Sequence, residues 1–234
     1  MSLPILDLSH IASGLLLGFL GLKIRQSYLR GEKEELLLKY FMLVFFLVGA
    51  FQVFVGLPHL SLIFGRPDLF PQLMVWGYII SHVCLFSSFA YTIMIPAQLY
   101  WPKFRQLSFG VIALFGLVIL TLLVIGPLQP EFRGGITLFN PPLMVTKLIP
   151  LLTMLSWGPT AVVFLYNAVK GGLERPLKMR SLLLGIGFIL MLAAGPMHNI
   201  AQTVAFWFFI EMLTVAGFLI IAVAILYYKK PETG

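Results

Sequence analysis

Seven long apolar runs constrain the fold of this chain more than any other feature of its sequence. They cover residues 5–24, 36–57, 73–95, 107–125, 143–166, 181–200 and 203–228. A helix needs about 20 mainly apolar residues to cross the hydrocarbon core of a bilayer. Inside that core every main-chain polar group must be paired within the protein, which a helix does by its own hydrogen bonds. The sequence therefore predicts one all-α integral membrane domain, residues 1–234, with seven transmembrane helices.

The composition of the chain excludes a soluble fold. Of its 234 residues, 59% are hydrophobic and 11% are charged, whereas a soluble domain has about 25% charged residues. The net charge of +7 does not indicate nucleic-acid binding, because the basic residues lie in short clusters between apolar runs, as is typical of membrane proteins. We therefore expect a multi-pass protein whose main partner is the lipid bilayer and which binds no nucleic acid.

The distribution of lysine and arginine predicts the orientation of the helices. Thirteen of the sixteen lie in the first, third and fifth connections and in the C-terminal tail. Lysine and arginine near helix ends stay on the cytoplasmic side, so the N-terminus is expected outside and the C-terminus inside. We expect the plasma membrane of a prokaryote as the location, and basic inner loops that can bind a cytoplasmic protein partner.

One carboxylate, Glu211, lies deep inside an apolar run and defines the candidate site. An ionisable group costs about 2.5–3.5 kcal/mol at the middle of a membrane helix, so it needs a partner. His82 lies as deep in its own helix and is the expected partner. His59 and His198 lie near the outer ends of their helices. The sequence thus predicts a ligand or proton pocket built from a His82–Glu211 pair together with His59 and His198.

Polar residues at the turn between the last two helices extend this pocket. Asn199 and Gln202 are expected to cap the turn, and Pro196 offers a hinge just before it. Because imidazole changes charge at about pH 6.5, such a pocket would respond to pH or to a bound polar molecule. A single histidine near a helix end is typically an interfacial or capping residue, and this is what we expect of His10.

Two metal-based interpretations stay open beside this pocket. His59 and His198 lie at matched depth on separate helices, as the two axial ligands of haem b would. Three histidines with Glu211 are also a ligand set for zinc, but no H-x-x-x-H or H-E-x-x-H spacing supports a metal site. The cofactor is therefore unknown at this stage, with haem b as an alternative.

A weak internal similarity indicates a second architecture. The segment Gly56-Leu57-Pro58-His59 ends the second run, and Gly195-Pro196-Met197-His198 ends the sixth. In this alignment helices one to three match helices five to seven, and helix four is a linker. Such a 3+1+3 pseudo-repeat, with both copies in the same orientation, is typical of parallel-repeat transporters.

The layout of seven spans with an outside N-terminus resembles several membrane protein families. Microbial rhodopsins carry a Schiff-base lysine in the middle of helix seven, but residues 203–228 contain no lysine, so no retinal is expected. Hydrolases related to ceramidases carry an H-x-x-x-H motif in helix seven, which this chain lacks. The layout is also similar to small sugar transporters with a 3+1+3 plan and to sensor regions that precede histidine kinases.

These observations favour a receptor-like or sensory membrane module. It would bind a small ligand or a proton in the outer half of the bilayer and pass a helix shift to partners at the inner loops. A small transporter built on the 3+1+3 plan is the alternative, and a haem-binding redox subunit is a further one. An enzyme is least favoured, because the sequence contains no recognisable nucleophile–base set.

Overall fold

A computed structural model describes residues 5–29, 35–126, 128, 130–133, 136–198 and 203–227. Seven long helices make up most of this described chain, and each is long and apolar enough to cross a membrane. The predicted number of membrane helices is therefore confirmed. We label them α1 (Ile5–Leu29), α2 (Glu35–Gly56), α3 (Phe70–Tyr100), α4 (Arg105–Ile125), α5 (Leu143–Lys170), α6 (Arg175–Met197) and α7 (Val204–Leu226).

Short helical turns link several of these helices. A 3-10 turn, Leu57–His59, and a short helix, Leu60–Ile63, directly follow α2. Similar 3-10 turns precede α3 at Pro67–Leu69 and α4 at Pro102–Phe104. Both of these begin with proline, whose fixed φ and missing N–H suit the first helical position.

A β-hairpin interrupts the otherwise helical fold of the described chain. Strand β1 (Pro130–Arg133) pairs antiparallel with β2 (Ile136–Phe139), and Pro130 lies opposite Phe139. The hairpin occupies the connection between α4 and α5. The hydropathy pattern did not predict it, because two strands of four residues are too short to give a periodic signal.

Six of the helices follow one another around a closed ring. Their order is α1, α2, α3, α5, α6 and α7, and α7 contacts α1 again. Helix α4 packs outside this ring against α3 and α5, and only 22% of its apolar stretch is buried, the lowest share of the seven. The contact between α1 and α7 brings the two ends of the chain together, and the candidate site lies at that contact.

Glycines allow two neighbouring helix pairs to pack closely. A Cβ atom on Gly14 of α1 would lie 2.6 Å from the carbonyl oxygen of Gly49 on α2. A Cβ atom on Gly187 of α6 would lie 2.9 Å from the carbonyl oxygen of Gly217 on α7. Small residues are the common means of close packing between membrane helices, since lipid supplies no hydrophobic drive for their association.

Aromatic side chains fill the centre of the ring. Phe41, Phe164 and Phe188 lie within 6.4 Å of one another, measured between ring centroids. Phe45 meets Phe218 edge-on at 5.1 Å. All five are buried, and they come from four different helices. This apolar centre separates the two ends of the bundle.

The two ends of the bundle differ in their polar residues. At one end α1 begins, α2 and α6 end and α7 begins, and His10, His59 and His198 all lie there. We call this the histidine end. At the other end, which we call the basic end, Lys103, Lys170, Arg175 and Lys178 are exposed. Which end faces the cytoplasm stays a prediction from the basic residues.

Candidate functional site

Glu211 lies on the second turn of α7 and is 4% exposed. Thr203 precedes this helix and caps it, because its side-chain oxygen accepts a hydrogen bond from the Phe206 amide at 3.3 Å. The cap fixes where the helix begins and hence which way Glu211 points. Its Oε1 atom lies 3.2 Å from Nδ1 of His10 and 3.2 Å from Nε2 of His198. One carboxylate oxygen therefore holds imidazoles from two other segments of the chain.

His10 reaches this carboxylate from α1. It is 4% exposed, and its Nδ1 atom also contacts Oε1 of Gln52 on α2. Gln52 is 2% exposed and lies among apolar neighbours near the end of that helix. Because both oxygens are acceptors, the Nδ1 atom of His10 carries a hydrogen and donates it. The expectation that His10 is a capping or interfacial residue is wrong, since the ring is buried in the bundle.

His198 reaches Glu211 from the residue after α6. Its Nδ1 atom lies 2.9 Å from the carbonyl oxygen of Ala194, one turn earlier, and this contact orients the ring. The side chain of His198 is 27% exposed. It is thus the member of the site that is open to its surroundings, whereas His10 and Glu211 are enclosed.

Trp207 covers the two histidines. It lies one turn before Glu211 on α7, with its ring edge-on to His198 at 4.9 Å and to His10 at 6.1 Å between centroids. We name His10, Gln52, His198, Trp207 and Glu211 the Glu211 cluster. Four helices, α1, α2, α6 and α7, meet in it, either directly or through the residue that follows them.

Two polar atoms of the Glu211 cluster are buried without a hydrogen-bond partner among the described residues. They are Oε2 of Glu211 and Nε1 of Trp207. An unsatisfied buried polar group costs about 1–3 kcal/mol and calls for an explanation. Here the cost falls on the same helix turn that carries the intramembrane acid, which is typical of a site kept for function rather than for stability.

The structure does not bring His82 and Glu211 together. Nδ1 of His82 donates to the carbonyl oxygen of Tyr78, 2.8 Å away on the same helix. The ring lies between those of Tyr78, Phe51 and Phe86. His82 is the thirteenth residue of α3 and Glu211 the eighth of α7. The partners of Glu211 come from α1 and from the residue after α6, because those helices flank α7 in the ring.

His59 lies outside the Glu211 cluster and contacts the hairpin instead. It is fully buried, and its Nε2 atom lies 2.8 Å from the hydroxyl oxygen of Thr137 on β2. Its Nδ1 atom lies 3.3 Å from the carbonyl oxygen of Gly56. The edge of its ring also faces Phe70 at the start of α3. This histidine thus ties the loop between α4 and α5 to the ends of α2 and α3.

This contact predicts a modest change of stability. We expect the Thr137→Val variant to lose about 0.5–1.5 kcal/mol of unfolding free energy, the net value of one hydrogen bond. The measurement is reversible unfolding by SDS in mixed micelles. The control is Thr121→Val on the exposed face of α4, where the hydroxyl bonds only within its own helix to Leu117. Equal losses in both variants would show that His59 does not hold the hairpin.

The geometry does not favour the haem or zinc interpretations. Both ring nitrogens of His59 and of His198 already contact oxygen atoms, so an axial haem iron would displace one contact in each ring. Among the described residues, no group of three or more His, Cys, Asp or Glu side chains is arranged to hold a metal ion. The Glu211 cluster is therefore best treated as a hydrogen-bonded site of protein groups.

The remaining predicted residues lie at the turn after α6. Pro196 is the second-last residue of α6 and precedes His198 by two positions. Asn199 and Gln202 lie outside the described residues. The hinge at Pro196 stays a prediction, supported by its position beside a ring that contacts Glu211.

Sequence reasoning missed Gln52 and misassigned His10. Gln52 had a detectable signal, because it is a lone amide in the apolar stretch Leu47–Val55 of α2, and intramembrane polar residues usually face the bundle interior. His10 had a weaker signal, since its nearness to the start of a helix is shared by many interfacial residues.

Comparison with known proteins adds no assignment. No protein-family model matches the chain. No curated protein matches it significantly either. The function is therefore inferred from the geometry of the Glu211 cluster.

Proposed function

We propose that this protein is a receptor-like sensory module of a membrane, in which the Glu211 cluster receives the signal. The observation that carries the proposal is the single carboxylate oxygen that contacts histidines of two other segments. A buried ionic contact is a sensitive switch, because a change of charge on either side turns a favourable contact into an unpaired buried group. A ligand or proton at this site would therefore change how α1 and α6 pack on α7.

The route of the signal follows from the ring. Helices α1, α6 and α7 each extend from the histidine end to the basic end, so a tilt at one end moves the other. Close packing at Gly187 and Gly217 couples α6 to α7 along the way. We propose that exposed bases at the basic end, among them Arg175 and Lys178, then meet a cytoplasmic protein partner with an acidic surface.

The absence of an apparent polar pathway supports sensing over transport. The buried phenylalanines Phe41, Phe164 and Phe188 fill the centre of the ring between the two ends. Substrate pathways in membrane proteins are lined by polar or ionisable side chains, and these three phenylalanine rings carry no polar group. Buried hydroxyls elsewhere in the bundle, such as those of Ser88 and Thr160, donate to main-chain carbonyl oxygens. The signal received by the Glu211 cluster is therefore proposed to travel mechanically.

A distance measurement tests the proposal. On a Cys84→Ser background, spin labels at Leu29→Cys and Tyr227→Cys report the separation of α1 and α7 at the basic end, where both side chains are exposed. We expect Glu211→Gln to shift this distance by about 1–2 Å or more, the scale of helix shifts in switching proteins. The measurement is double electron–electron resonance in lipid nanodiscs.

The control for this experiment is His59→Gln. It disturbs the histidine end at the hairpin contact but leaves every member of the Glu211 cluster in place. A sensory module predicts a shift in Glu211→Gln and none in the control. Superimposable distance distributions in wild type and Glu211→Gln would contradict the proposal.

A small transporter is the second candidate, and the helix order favours it. The ring joins α1–α3 to α5–α7 at two contacts, α3 with α5 and α7 with α1, and α4 lies outside. This is the arrangement that a 3+1+3 repeat would produce. Proteoliposomes loaded with the pH dye pyranine distinguish the two functions. Sustained proton uptake that is driven by a potassium diffusion potential and lost in Glu211→Gln would favour transport.

A further inference from the structure

His198 faces hydrogen-bond acceptors with both of its ring nitrogens. Nδ1 lies 2.9 Å from the carbonyl oxygen of Ala194, and Nε2 lies 3.2 Å from Oε1 of Glu211. The carbonyl oxygen also accepts the main-chain N–H of His198 at 3.3 Å. A carbonyl oxygen and an ionised carboxylate accept hydrogen bonds and cannot donate them. Neutral imidazole has one N–H, so it satisfies only one of these two contacts.

Two of the other histidines do not lie between two groups that can only accept hydrogen bonds. His82 uses Nδ1 to donate to Tyr78, has the Ser81 hydroxyl 3.4 Å from the same atom, and also contacts aromatic rings. His59 faces the Gly56 carbonyl with Nδ1, but its Nε2 atom meets the hydroxyl of Thr137, which can donate as well as accept. The hydrogen-bond contacts of both rings can therefore be made by neutral imidazole.

His10 also needs no additional proton. Among the described residues, its Nδ1 atom alone faces oxygen atoms, those of Gln52 and Glu211, and one N–H can be shared between the two. The conflict in the Glu211 cluster is thus confined to the contact between His198 and Glu211. Two facing lone pairs in a buried contact repel each other.

We propose that the signal received by the Glu211 cluster is a proton, bound between Nε2 of His198 and Oε1 of Glu211. The bound form contains one proton more than neutral His198 with ionised Glu211. It is either an imidazolium beside a carboxylate or a neutral imidazole that accepts from a carboxylic acid. In both forms every contact at His198 is a donor–acceptor contact. This inference rests on the proposed sensory function and identifies its signal.

Among the residues that the structure describes, the titratable side chains that contact Glu211 are His10 from α1 and His198 after α6. Helix α2 contributes the uncharged Gln52. Helix α5, which packs on α6, carries Lys147 near its start. The partial exposure of His198 provides the path by which the proton enters and leaves.

Release of the proton would open one contact of His198. After the proton is lost, one ring nitrogen of His198 carries no hydrogen and faces an oxygen that also only accepts. That oxygen is either the carbonyl oxygen of Ala194 or Oε1 of Glu211. The ring must turn away from it. Because His198 follows Pro196, which lacks an N–H, few main-chain hydrogen bonds resist the movement. The structure described here is thus the protonated state, and raising the pH separates the end of α6 from α7.

Solid-state NMR on protein labelled with ¹⁵N-histidine tests the inference directly, because the chain has only four histidines. Spectra in nanodiscs distinguish ring nitrogens that carry hydrogen from those that do not, and His198→Gln assigns the ring in question. At the pH where His59 and His82 are neutral, we expect His198 to carry hydrogen on both nitrogens. If the proton lies on Glu211 instead, we expect infrared spectra to show a carboxylic acid band that the Glu211→Gln variant lacks. Either result supports the proposal.

The control variant is His82→Gln, which should leave the signal of His198 unchanged. The proposal is overturned if His198 carries one ring hydrogen while Glu211 is ionised in the folded protein. It is also overturned if His198 titrates with His59 and His82 and independently of Glu211→Gln.

The outcomes separate this inference from the proposed function. If the spin-label distance shifts in Glu211→Gln but no additional proton is found, the module senses a different ligand. If the proton is found but the basic end does not move, the site binds a proton without transmitting a signal.

Discussion

The Glu211→Ala variant should lose about 3–5 kcal/mol of unfolding free energy, the usual cost of removing one partner from a buried ionic contact. The substitution leaves Nε2 of His198 without its hydrogen-bond partner and removes one of the two oxygens that His10 contacts. It also leaves space around the indole of Trp207. The measurement is SDS-induced unfolding in mixed micelles, followed by circular dichroism.

The matched control is Glu174→Ala. Glu174 is an exposed acid at the start of α6 and makes no side-chain cap, so its loss should change stability by no more than about 0.5 kcal/mol. A double-mutant cycle adds a sharper criterion. His198→Ala should cost less in the Glu211→Ala background than in wild type, by about 0.5–3 kcal/mol, since contacting residues are not additive. Additive losses would mean that the two side chains do not interact.

Gly14→Leu should destabilise the protein by about 1–3 kcal/mol, because it inserts a side chain where two helices touch. A Cβ at this position would lie 2.6 Å from the Gly49 carbonyl oxygen and 2.6 Å from Cγ2 of Val53. Helix α1 would have to move away from α2. Since Gly14 is one turn from His10, the shift would also pull His10 away from Gln52.

Gly18→Leu is the matched control for this prediction. A Cβ on Gly18 would meet nothing within 4 Å, although Gly18 lies on the same helix one turn further along. Both variants replace glycine by leucine, so both gain about 1 kcal/mol in helix propensity. The difference between them measures the contact with α2. If the two variants unfold at the same SDS concentration, α1 and α2 are not in close contact at Gly14.

The helices were largely predictable because membrane hydropathy is a local property of the chain. The run 107–125 predicted α4 to within two residues, and the run 203–228 predicted α7 to within two residues. The largest error was at α6, which begins at Arg175, six residues before the predicted start at 181. Polar and aromatic residues near the bilayer surface continue the helix although they lower its mean hydropathy.

The candidate site was predictable in its chemistry but only partly in its members. The burial cost of Glu211 predicted an imidazole partner, and His10 and His198 both lie 3.2 Å from its Oε1 atom. His82 was the expected partner and instead faces Phe51 and Phe86. Depth along a helix follows from counting residues, but the direction in which a side chain points depends on the rotation of each helix about its axis.

The amino-acid sequence was sufficient to establish a seven-helix membrane bundle with one acid in need of a partner, because transfer of each side chain into lipid has a cost that depends on that residue and its neighbours in the chain. The choice of partner depended on packing. His10 and Glu211 are 201 positions apart in the chain, and they meet because the ring closes between α1 and α7. That closure is a sum of many weak contacts over the whole bundle, and no local pattern encodes it.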